Sequence, residues 1–225
     1  AYILASMRID PIIVMATLLH DVPEDTAVTI EDIEKNFGSE IAGLVRGITK
    51  LGRLKYRGVE RYVENLRKMF VALAEDVRVM IMKFADRIHN LQTLDSLEPQ
   101  KRYRIALESL ELYAPIANRL GMGEMRGLLE DLSFRYVYPE ECERVKKMRE
   151  EKLGAIEPAL GKMQSRLAHE LEQAGIEVIS LHGRTKRLYS FYQKLMQKGN
   201  DVSRIYDLIA IRVLVPTVAD CYAVL

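Results

Sequence analysis

Apolar positions recur at helical spacing through most of the first two thirds of the chain. The first strong run occupies residues 11–20, in which we expect Leu18 and Leu19 to be buried and to anchor the helix. Pro23 has no amide N–H to continue such a helix, and its ring clashes with the preceding turn. The pattern therefore predicts a helix that ends or kinks near Asp21.

The segment TIEDIEKNFGS carries the signals that start and stop helices. Thr29 stands three residues before Asp32, an arrangement that resembles a capping box. Gly38 follows as a stop signal, and Ser39 is placed to cap the next helix. One short helix and the start of a longer one are therefore predicted here.

Further helical segments follow until the hydrophobic period changes. Helices are predicted over residues 60–75, 76–94, 101–120, 123–135 and 140–174. Residues 76–94 form a long, mostly apolar segment, so we expect this helix to be central. In the charged segment 140–174, Gly154 and Pro158 predict a break.

Two short β-branched runs, IEVISLHGR and DLIAIRVLVP, then flank the amphipathic segment KRLYSFYQKLMQ. A mainly α fold is therefore predicted, in which an all-α part precedes an α/β part. The boundary between the two parts is expected between residues 136 and 180.

Composition narrows the functional classes. The 225 residues are 48% hydrophobic and 29% charged, with a net charge of +1, so no overall field favours nucleic acid or an anionic membrane. No apolar run is long enough to span a bilayer, and no signal peptide opens the chain. Cys142 and Cys221 are isolated, which predicts free thiols in a reducing compartment. Both ends look like cuts through structure, so we expect a fragment of a longer protein.

Four ionisable residues crowd into the segment LLHDVPEDT. They are His20, Asp21, Glu24 and Asp25. An imidazole beside a carboxylate is a plausible metal pair, and a divalent cation would offset the mutual repulsion of the acids. A solvated turn is the alternative, because VPEDT alone is a common loop sequence.

A second polar feature lies in KFADRIHNL, inside the most apolar helix. Asp86, Asn90 and Thr93 fall at i, i+4 and i+7, so they share one helix face. A metal ligand is one interpretation of Asp86, and a core carboxylate paired with Arg87 or another arginine is the other. His89 alone is more typical of a hydrogen-bonded core histidine.

Two levels of resemblance follow from these segments. His20-Asp21 with the distant Asp86 resembles the HD…D ligand pattern of HD-type metal phosphohydrolases. The blocks LLHDVPEDT, TKL, KFADRIHNLQTL, YAPIANRLGM, LEDLSFRY, GRTKRLYSFYQKL and IYDLIAIRVLV follow one another as in the RelA/SpoT homologue family of alarmone enzymes. In that family, a helical hydrolase domain removes the 3′-pyrophosphate of (p)ppGpp with Mn²⁺, and a synthetase domain transfers pyrophosphate from ATP to GDP or GTP.

The resemblance assigns roles in the first part of the chain. It implies that His20, Asp21 and Asp86 bind the metal and that Glu24 and Asp25 orient or activate the attacking water. Asn90 and Thr93 match substrate-contacting positions. The family's first histidine ligand lies just upstream of the segment that matches AYILASM, so we expect one ligand outside the numbered chain.

The resemblance also assigns a partial second site. Four residues match the ATP-side basic motif of the synthetase: Arg184, Lys186, Ser190 and Lys194. Asp207 matches its Mg²⁺-binding aspartate. By residue type alone, a solvated amphipathic helix is the plainer interpretation of the basic motif. The family's guanine loop and catalytic glutamate fall beyond Leu225, so we expect an incomplete synthetase that is active only in the parent protein.

The implied architecture has three parts: an HD-type hydrolase domain over 1–138, a helical connector over 139–180 and an incomplete α/β nucleotidyltransferase-like synthetase domain over 181–225. A hydrolase-bearing fragment is favoured because His20-Asp21 and Glu24-Asp25 are both intact. Two alternatives remain. One is an enzyme that is mainly a pyrophosphokinase and has a regulatory HD domain; the other is a regulatory nucleotide-binding module without catalytic activity. The expected partner is (p)ppGpp in the cytoplasm, without membrane or direct nucleic acid, since ribosome contact would need C-terminal domains that are absent here.

Overall fold

The computed structural model describes residues 1–52 and 59–225. These residues divide into two compact units, Ala1–Ser133 and Phe134–Leu225. The fold is mainly helical with one two-stranded sheet, which confirms the predicted fold class. No helix in the described ranges is both long and apolar enough to cross a membrane.

The first unit is built from helices. They are α1 (Tyr2–Ser6), α2 (Pro11–Leu19), α3 (Val22–Asp25), α4 (Ile30–Phe37), α5 (Ser39–Gly52), α6 (Val59–Glu75), α7 (Val77–Gln92), α8 (Pro99–Glu108), α9 (Ala114–Arg119) and α10 (Gly123–Val137), whose last turn belongs to the second unit. A short 3₁₀ turn covers Leu94–Ser96, and a π-helical turn covers Ser109–Tyr113.

Helix α7 is the centre of the first unit, as its apolar pattern predicts. It packs against α1, α2, α5 and α6. Seven of its side chains are buried: Val79, Met80, Met82, Phe84, Ala85, Ile88 and Leu91. Asp86 therefore projects from a helix that is otherwise held by apolar packing.

Helix α2 ends at Leu19 and His20 is its C-terminal cap, close to the predicted end. Pro23 stands in the first turn of α3, where its missing N–H removes no helical hydrogen bond. The expected anchoring by Leu18 was wrong, since this residue is 65% exposed. The helix is instead anchored by its buried face, Ile13, Ala16 and Thr17.

Helix α4 begins with the predicted capping box. Thr29 Oγ1 accepts from the Asp32 backbone N–H at 3.2 Å, and the Asp32 carboxylate accepts from the Thr29 N–H at 3.0 Å. Gly38 ends the helix at φ +88°, a conformation that disfavours a side chain. Ser39 was expected to cap α5 but is its first residue, because the Gly38 carbonyl already accepts from the Ala42 N–H.

The segment predicted as one helix over 101–120 is continuous but irregular. Helix α8 passes through the π-helical turn Ser109–Tyr113 directly into α9. Ser109, Leu110, Leu112 and Tyr113 are buried in that turn. π-Helical turns of this kind are frequently found at functional sites.

The second unit contains α11 (Pro139–Gln173), β1 (Ser180–Thr185), α12 (Leu188–Gln197), β2 (Ile209–Leu214) and α13 (Val218–Ala223), with a 3₁₀ turn at Val202–Arg204. The predicted break near Gly154 and Pro158 was wrong, because the backbone of α11 is helical throughout. Tertiary packing of α11 on α12 and β1 outweighs the weak local propensities. The side chains of residues 155–159, including that of Pro158, lie outside the described part of the chain.

The two predicted strands pair antiparallel, in a register that joins Ser180 to Leu214 and Thr185 to Ile209. The buried core of this unit is formed by Val145, Phe191, Leu195, Ile205 and Leu208. These residues fix α12 and the start of β2 against α11. Cys142 is buried and Cys221 is exposed, and both are free thiols as predicted.

Two glycines on α5 provide a matched test of how closely α5 and α7 pack. A Cβ on Gly47 would lie 2.7 Å from Val79 Cγ2, whereas a Cβ on Gly43 would meet nothing within 4 Å. Val79 is 3% exposed and has a stiff branched side chain, so it cannot move aside cheaply. We expect Gly47→Ala to destabilise the protein by about 1–3 kcal/mol.

Gly43→Ala gains helix propensity without a clash and is expected to be neutral or stabilising by up to about 1 kcal/mol. Denaturant unfolding of the two variants measures the difference directly. Equal stabilities for the two variants would contradict close packing of α5 on α7.

Candidate functional site

The end of α2 brings His20 and the adjacent Asp21 close to Asp86, which lies in the middle of α7 and follows His20 by 66 positions in the sequence. His20 Nε2 lies 3.1 Å from Asp21 Oδ1 and 3.9 Å from Asp86 Oδ1. His20 and Asp86 are mostly buried, whereas the side chain of Asp21 is 62% exposed. We refer to His20, Asp21 and Asp86 as the acidic site.

The orientation of the His20 ring is set by the end of its own helix. Its Nδ1 lies 2.8 Å from the Thr17 carbonyl oxygen. The last carbonyls of a helix have no partner within the helix, so this oxygen is free to accept the Nδ1–H. With Nδ1 engaged by the Thr17 carbonyl, the other ring nitrogen, Nε2, faces the two carboxylates.

Asp86 is held by side chains of its own helix. Its Oδ2 accepts from Lys83 Nζ at 2.8 Å, and its Oδ1 accepts from Asn90 Nδ2 at 3.1 Å. The alternative predicted an ion pair between Asp86 and Arg87, but the cationic partner of Asp86 is Lys83. The Arg87 guanidinium donates to Tyr113 and Glu108 instead. His89 is exposed rather than part of the core.

Two opposing effects act on the Asp86 carboxyl. Burial alone would raise its pKa, but the charge and hydrogen bond of Lys83, helped by His20 and Arg87, hold that pKa below its usual value of 3.8. Asp86 is therefore an ionised carboxylate in a largely apolar setting.

Glu24 and Asp25 lie on α3, immediately after the acidic site in the chain. Both side chains are exposed, and they make no side-chain hydrogen bond to the described residues. Two carboxylates that are not engaged elsewhere remain available to accept protons or hydrogen bonds.

The polar face predicted for α7 is only partly assembled. Asn90 contacts Asp86, as its i+4 spacing requires. Thr93 is the C-terminal cap residue of α7, and its hydroxyl donates to the His89 and Asn90 carbonyls at 3.3 Å. The structure thus joins Asn90, but not Thr93, to the acidic site through direct contacts.

The donor set of the acidic site suits a divalent cation. Nitrogen and oxygen ligands lie roughly 2.0–2.2 Å from such ions, so two ligands of one ion are about 3–4 Å apart. The distances from His20 Nε2 to the two carboxylates fall in that range. The described residues nevertheless contain no preassembled group of three His, Cys, Asp or Glu side chains of the metal-binding kind.

A second polar cluster lies in the other unit. Asp207 Oδ2 accepts from Lys186 Nζ at 2.7 Å and from Lys194 Nζ at 2.5 Å. The pKa of Asp207 lies far below its usual value of 3.8, mainly because of the hydrogen bond from Lys186 and, to a smaller extent, the one from Lys194. The structure therefore unites three of the five residues predicted for the partial ATP and Mg²⁺ site.

Arg184 and Ser190 are not joined to this cluster by described hydrogen bonds. Arg184 is exposed on β1, and Ser190 is half-buried on α12. Arg212, which the sequence analysis did not single out, is the register partner of His182. Because side chains alternate along a strand, His182, Arg184 and Arg212 share the exposed face of the sheet. The alternating pattern of IAIRVL was the signal that could have found Arg212.

The backbone before Asp207 is fixed from α11. Lys152 Nζ donates to the Val202 carbonyl at 2.5 Å and to the Ile205 carbonyl at 2.9 Å. Ile205 is fully buried. These contacts lock the segment that presents Asp207 to the two lysines.

The lysine pair yields a test by titration. Lys186→Met and Lys194→Met are each expected to move the pKa of Asp207 up toward 3.8, because each removes one hydrogen bond to the carboxylate. Carboxyl-carbon NMR over an acid titration measures this value. Asp201, whose pKa is lowered by Ser203, serves as an internal control that should not move.

The lowered pKa of Asp207 also makes the stability of the protein depend on pH in a defined direction. A lowered carboxyl pKa contributes stability that is present above pH about 3.8 and is lost as the pH falls below that value. If the pKa of Asp207 is the same in the parent and in both variants, the result contradicts the ion pairs with Lys186 and Lys194.

Comparison with known proteins identifies both parts of the chain. Residues 1–123 match the family model of the HD domain, and residues 183–225 match the model described as a region found in RelA / SpoT proteins. Membership of the HD family implies dependence on a divalent metal ion.

Full-length relatives extend over both regions. The chain is 43% identical over 226 residues to guanosine-3′,5′-bis(diphosphate) 3′-pyrophosphohydrolase of Haemophilus influenzae, covering 100% of this chain and 33% of that protein. It is equally identical to bifunctional (p)ppGpp synthase/hydrolase SpoT of Escherichia coli, covering 100% of this chain and 32% of that protein. GTP pyrophosphokinase of Streptomyces coelicolor is 43% identical over 223 residues, which cover 99% of this chain and 26% of that protein.

The chain spans about a third or less of the length of these curated relatives. Within that span, the similarity covers the helical unit and the sheet-bearing unit alike. The chain therefore belongs to the RelA/SpoT homologue family, with an HD domain over residues 1–123 and the RelA/SpoT region over residues 183–225.

Proposed function

We propose that this chain carries the site for metal-dependent hydrolysis of the 3′-pyrophosphate of (p)ppGpp, which yields GDP or GTP and pyrophosphate. The observation that carries the proposal is the convergence of His20 Nε2 with the carboxylates of Asp21 and Asp86. The printed names of the Haemophilus and Escherichia relatives describe the same chemistry.

His20, Asp21 and Asp86 are the residues that would hold Mn²⁺ in this proposal. The contact between Nδ1 and the Thr17 carbonyl would hold the His20 ring so that Nε2 can bind the ion. When bound, a divalent ion lowers the pKa of coordinated water and polarises phosphoryl oxygens. In the proposed reaction, water adds to the phosphorus nearest the ribose and the 3′-oxygen leaves.

Glu24 and Asp25 would take the proton that the attacking water loses. Their carboxylates are exposed and not engaged by described hydrogen bonds, so they are free to act as acceptors. Their place on α3, one turn beyond His20 and Asp21, keeps them close to the acidic site along the chain. A positioned carboxylate base contributes about 10²–10⁴-fold to a rate.

Asn90 and Thr93 would contact the nucleotide. Asn90 uses its amide N–H on Asp86, which leaves its carbonyl oxygen for a donor on the substrate. Thr93 lies at the end of the same helix with an exposed hydroxyl. Both positions lie on the same side of α7 as Asp86, and Asn90 is in direct contact with it.

A second activity of the full-length protein is proposed for the other unit. Lys186, Lys194 and Asp207 form a compact group of two ammonium ions and one carboxylate, which suits polyphosphate and Mg²⁺. With Arg184 and Ser190, these residues would bind ATP in a GTP pyrophosphokinase reaction, the activity named for the Streptomyces relative. A protein in which this activity dominates and the HD domain is regulatory remains the alternative.

The proposed arrangement assigns residues 1–138 to the hydrolase domain, 139–180 to a helical connector and 181–225 to the synthetase domain. A cytoplasmic location is part of the proposal, and two cysteines outside any disulfide support it. No membrane partner is proposed.

The role of Glu24 and Asp25 can be separated from metal binding. In the full-length protein, the double variant Glu24→Gln, Asp25→Asn is expected to bind Mn²⁺ like the parent. It should lose about 10²–10⁴-fold in the rate of pyrophosphate release from ppGpp, because the proton acceptors are gone. Single-turnover hydrolysis and Mn²⁺ titration calorimetry measure the two properties.

A matched control removes two exposed acids elsewhere in the first unit, Glu31→Gln with Glu75→Gln, and should keep the parent rate. Hydrolysis by the Glu24, Asp25 variant at the parent rate would show that neither carboxylate accepts the proton.

A further inference from the structure

Among the described side chains, Lys83 is a lysine in direct contact with the acidic site. It lies one turn before Asp86 on α7, and its Nζ is 2.8 Å from Asp86 Oδ2. The side chains of both residues are only 16% exposed, so water screens this ion pair weakly. Surface ion pairs of equal length contribute little because water screens them, which applies less to this pair.

The two oxygens of Asp86 have different partners. Lys83 occupies Oδ2, while Oδ1 accepts from Asn90 and faces His20 Nε2 at 3.9 Å. The neighbouring cation Arg87 forms no described hydrogen bond to this carboxylate, because Glu108 and Tyr113 engage its guanidinium. Lys83 is thus the side chain that neutralises Asp86 directly.

This arrangement allows the acidic site to fold without a metal ion. A largely buried carboxylate without a cation would be costly to keep ionised. Lys83 supplies a positive charge in the place where a divalent ion would otherwise be needed. The same charge must repel any divalent ion that approaches Asp86.

We propose that Lys83 is the resident counter-cation of the acidic site, which stabilises Asp86 before metal binding and weakens the affinity of the site for a divalent ion. The inference rests on the proposed metal site and adds a positioning residue to it. In this proposal Asp86 is already ionised before a metal ion arrives. The bound ion then takes the place of Lys83 as the positive charge beside the carboxylate.

The test is Mn²⁺ titration calorimetry on the full-length protein and on Lys83→Met. A unit charge at this distance from a carboxylate changes cation equilibria by about tenfold or more. We therefore expect Lys83→Met to bind Mn²⁺ at least about tenfold more tightly than the parent. In chelator the variant should unfold at lower denaturant concentration than the parent, and added Mn²⁺ should raise its midpoint more than that of the parent.

Two controls separate charge from general damage. Lys83→Arg keeps the positive charge and should bind Mn²⁺ within about threefold of the parent. Lys101→Met removes an exposed charge on α8 and should change neither property. Unchanged or weaker Mn²⁺ binding by Lys83→Met would overturn the proposal.

A separate variant tests the metal site itself. Asp86→Asn should lose most Mn²⁺ affinity if Asp86 is a ligand. If the parent binds no Mn²⁺, or Asp86→Asn binds it equally well, the metal site is wrong and the Lys83 inference falls with it. If Asp86→Asn loses affinity and Lys83→Met gains none, only the Lys83 inference fails.

Discussion

The first unit depends on keeping one ionised carboxylate inside an apolar helix. Asp86 is surrounded along α7 by buried side chains, and burial opposes its charge. Three neighbouring side chains stabilise the charge. Lys83 forms an ion pair with Asp86 Oδ2, Asn90 donates to Oδ1, and His20 faces Oδ1 from the end of α2. The polar residues of the site are thus explained by the requirements of a single buried charge.

A second side of α7, about 100° around the helix from Asp86, has its own polar anchor. Arg87 is mostly buried, with its guanidinium 4.2 Å above the Tyr113 ring and 2.8 Å from the Tyr113 hydroxyl. Burial opposes its charge, yet Tyr113 and Glu108 hold its pKa above the usual value. Tyr113 closes the π-helical turn, so the irregular backbone there provides the partner for Arg87. Contacts on both sides fix the rotation of α7, and with it the direction of Asp86.

The sequence predicted features that follow from local chemistry. The capping box at Thr29, the stop at Gly38 and both strands are set by neighbouring residues, and each is confirmed. The HD…D pattern correctly indicated that His20 and Asp86 meet in space. Their proposed role as metal ligands stays a prediction.

Other features depend on packing that a single sequence does not display. Leu18 was placed in the core because it is apolar, but the rotation of α2 buries Ala16 and Thr17 instead. The continuity of α11 through Gly154 reflects support from α12 and β1. Lys83 could have been found, since it stands at i−3 from Asp86, a spacing that pairs charges on a helix. It was missed because arginine was considered the natural partner of a core carboxylate.

In both units, a predicted metal-binding aspartate forms ion pairs with lysine. Lys83 pairs with Asp86 in the first unit, and Lys186 and Lys194 pair with Asp207 in the second. The central claim is that the acidic site of the first unit binds a divalent ion. Anomalous X-ray diffraction from crystals of the full-length protein grown with Mn²⁺ tests it most directly. The account predicts a manganese peak bonded to His20 Nε2 and to the carboxylates of Asp21 and Asp86. A manganese peak bound elsewhere, with Lys83 and His20 still filling the space around Asp86, would contradict it.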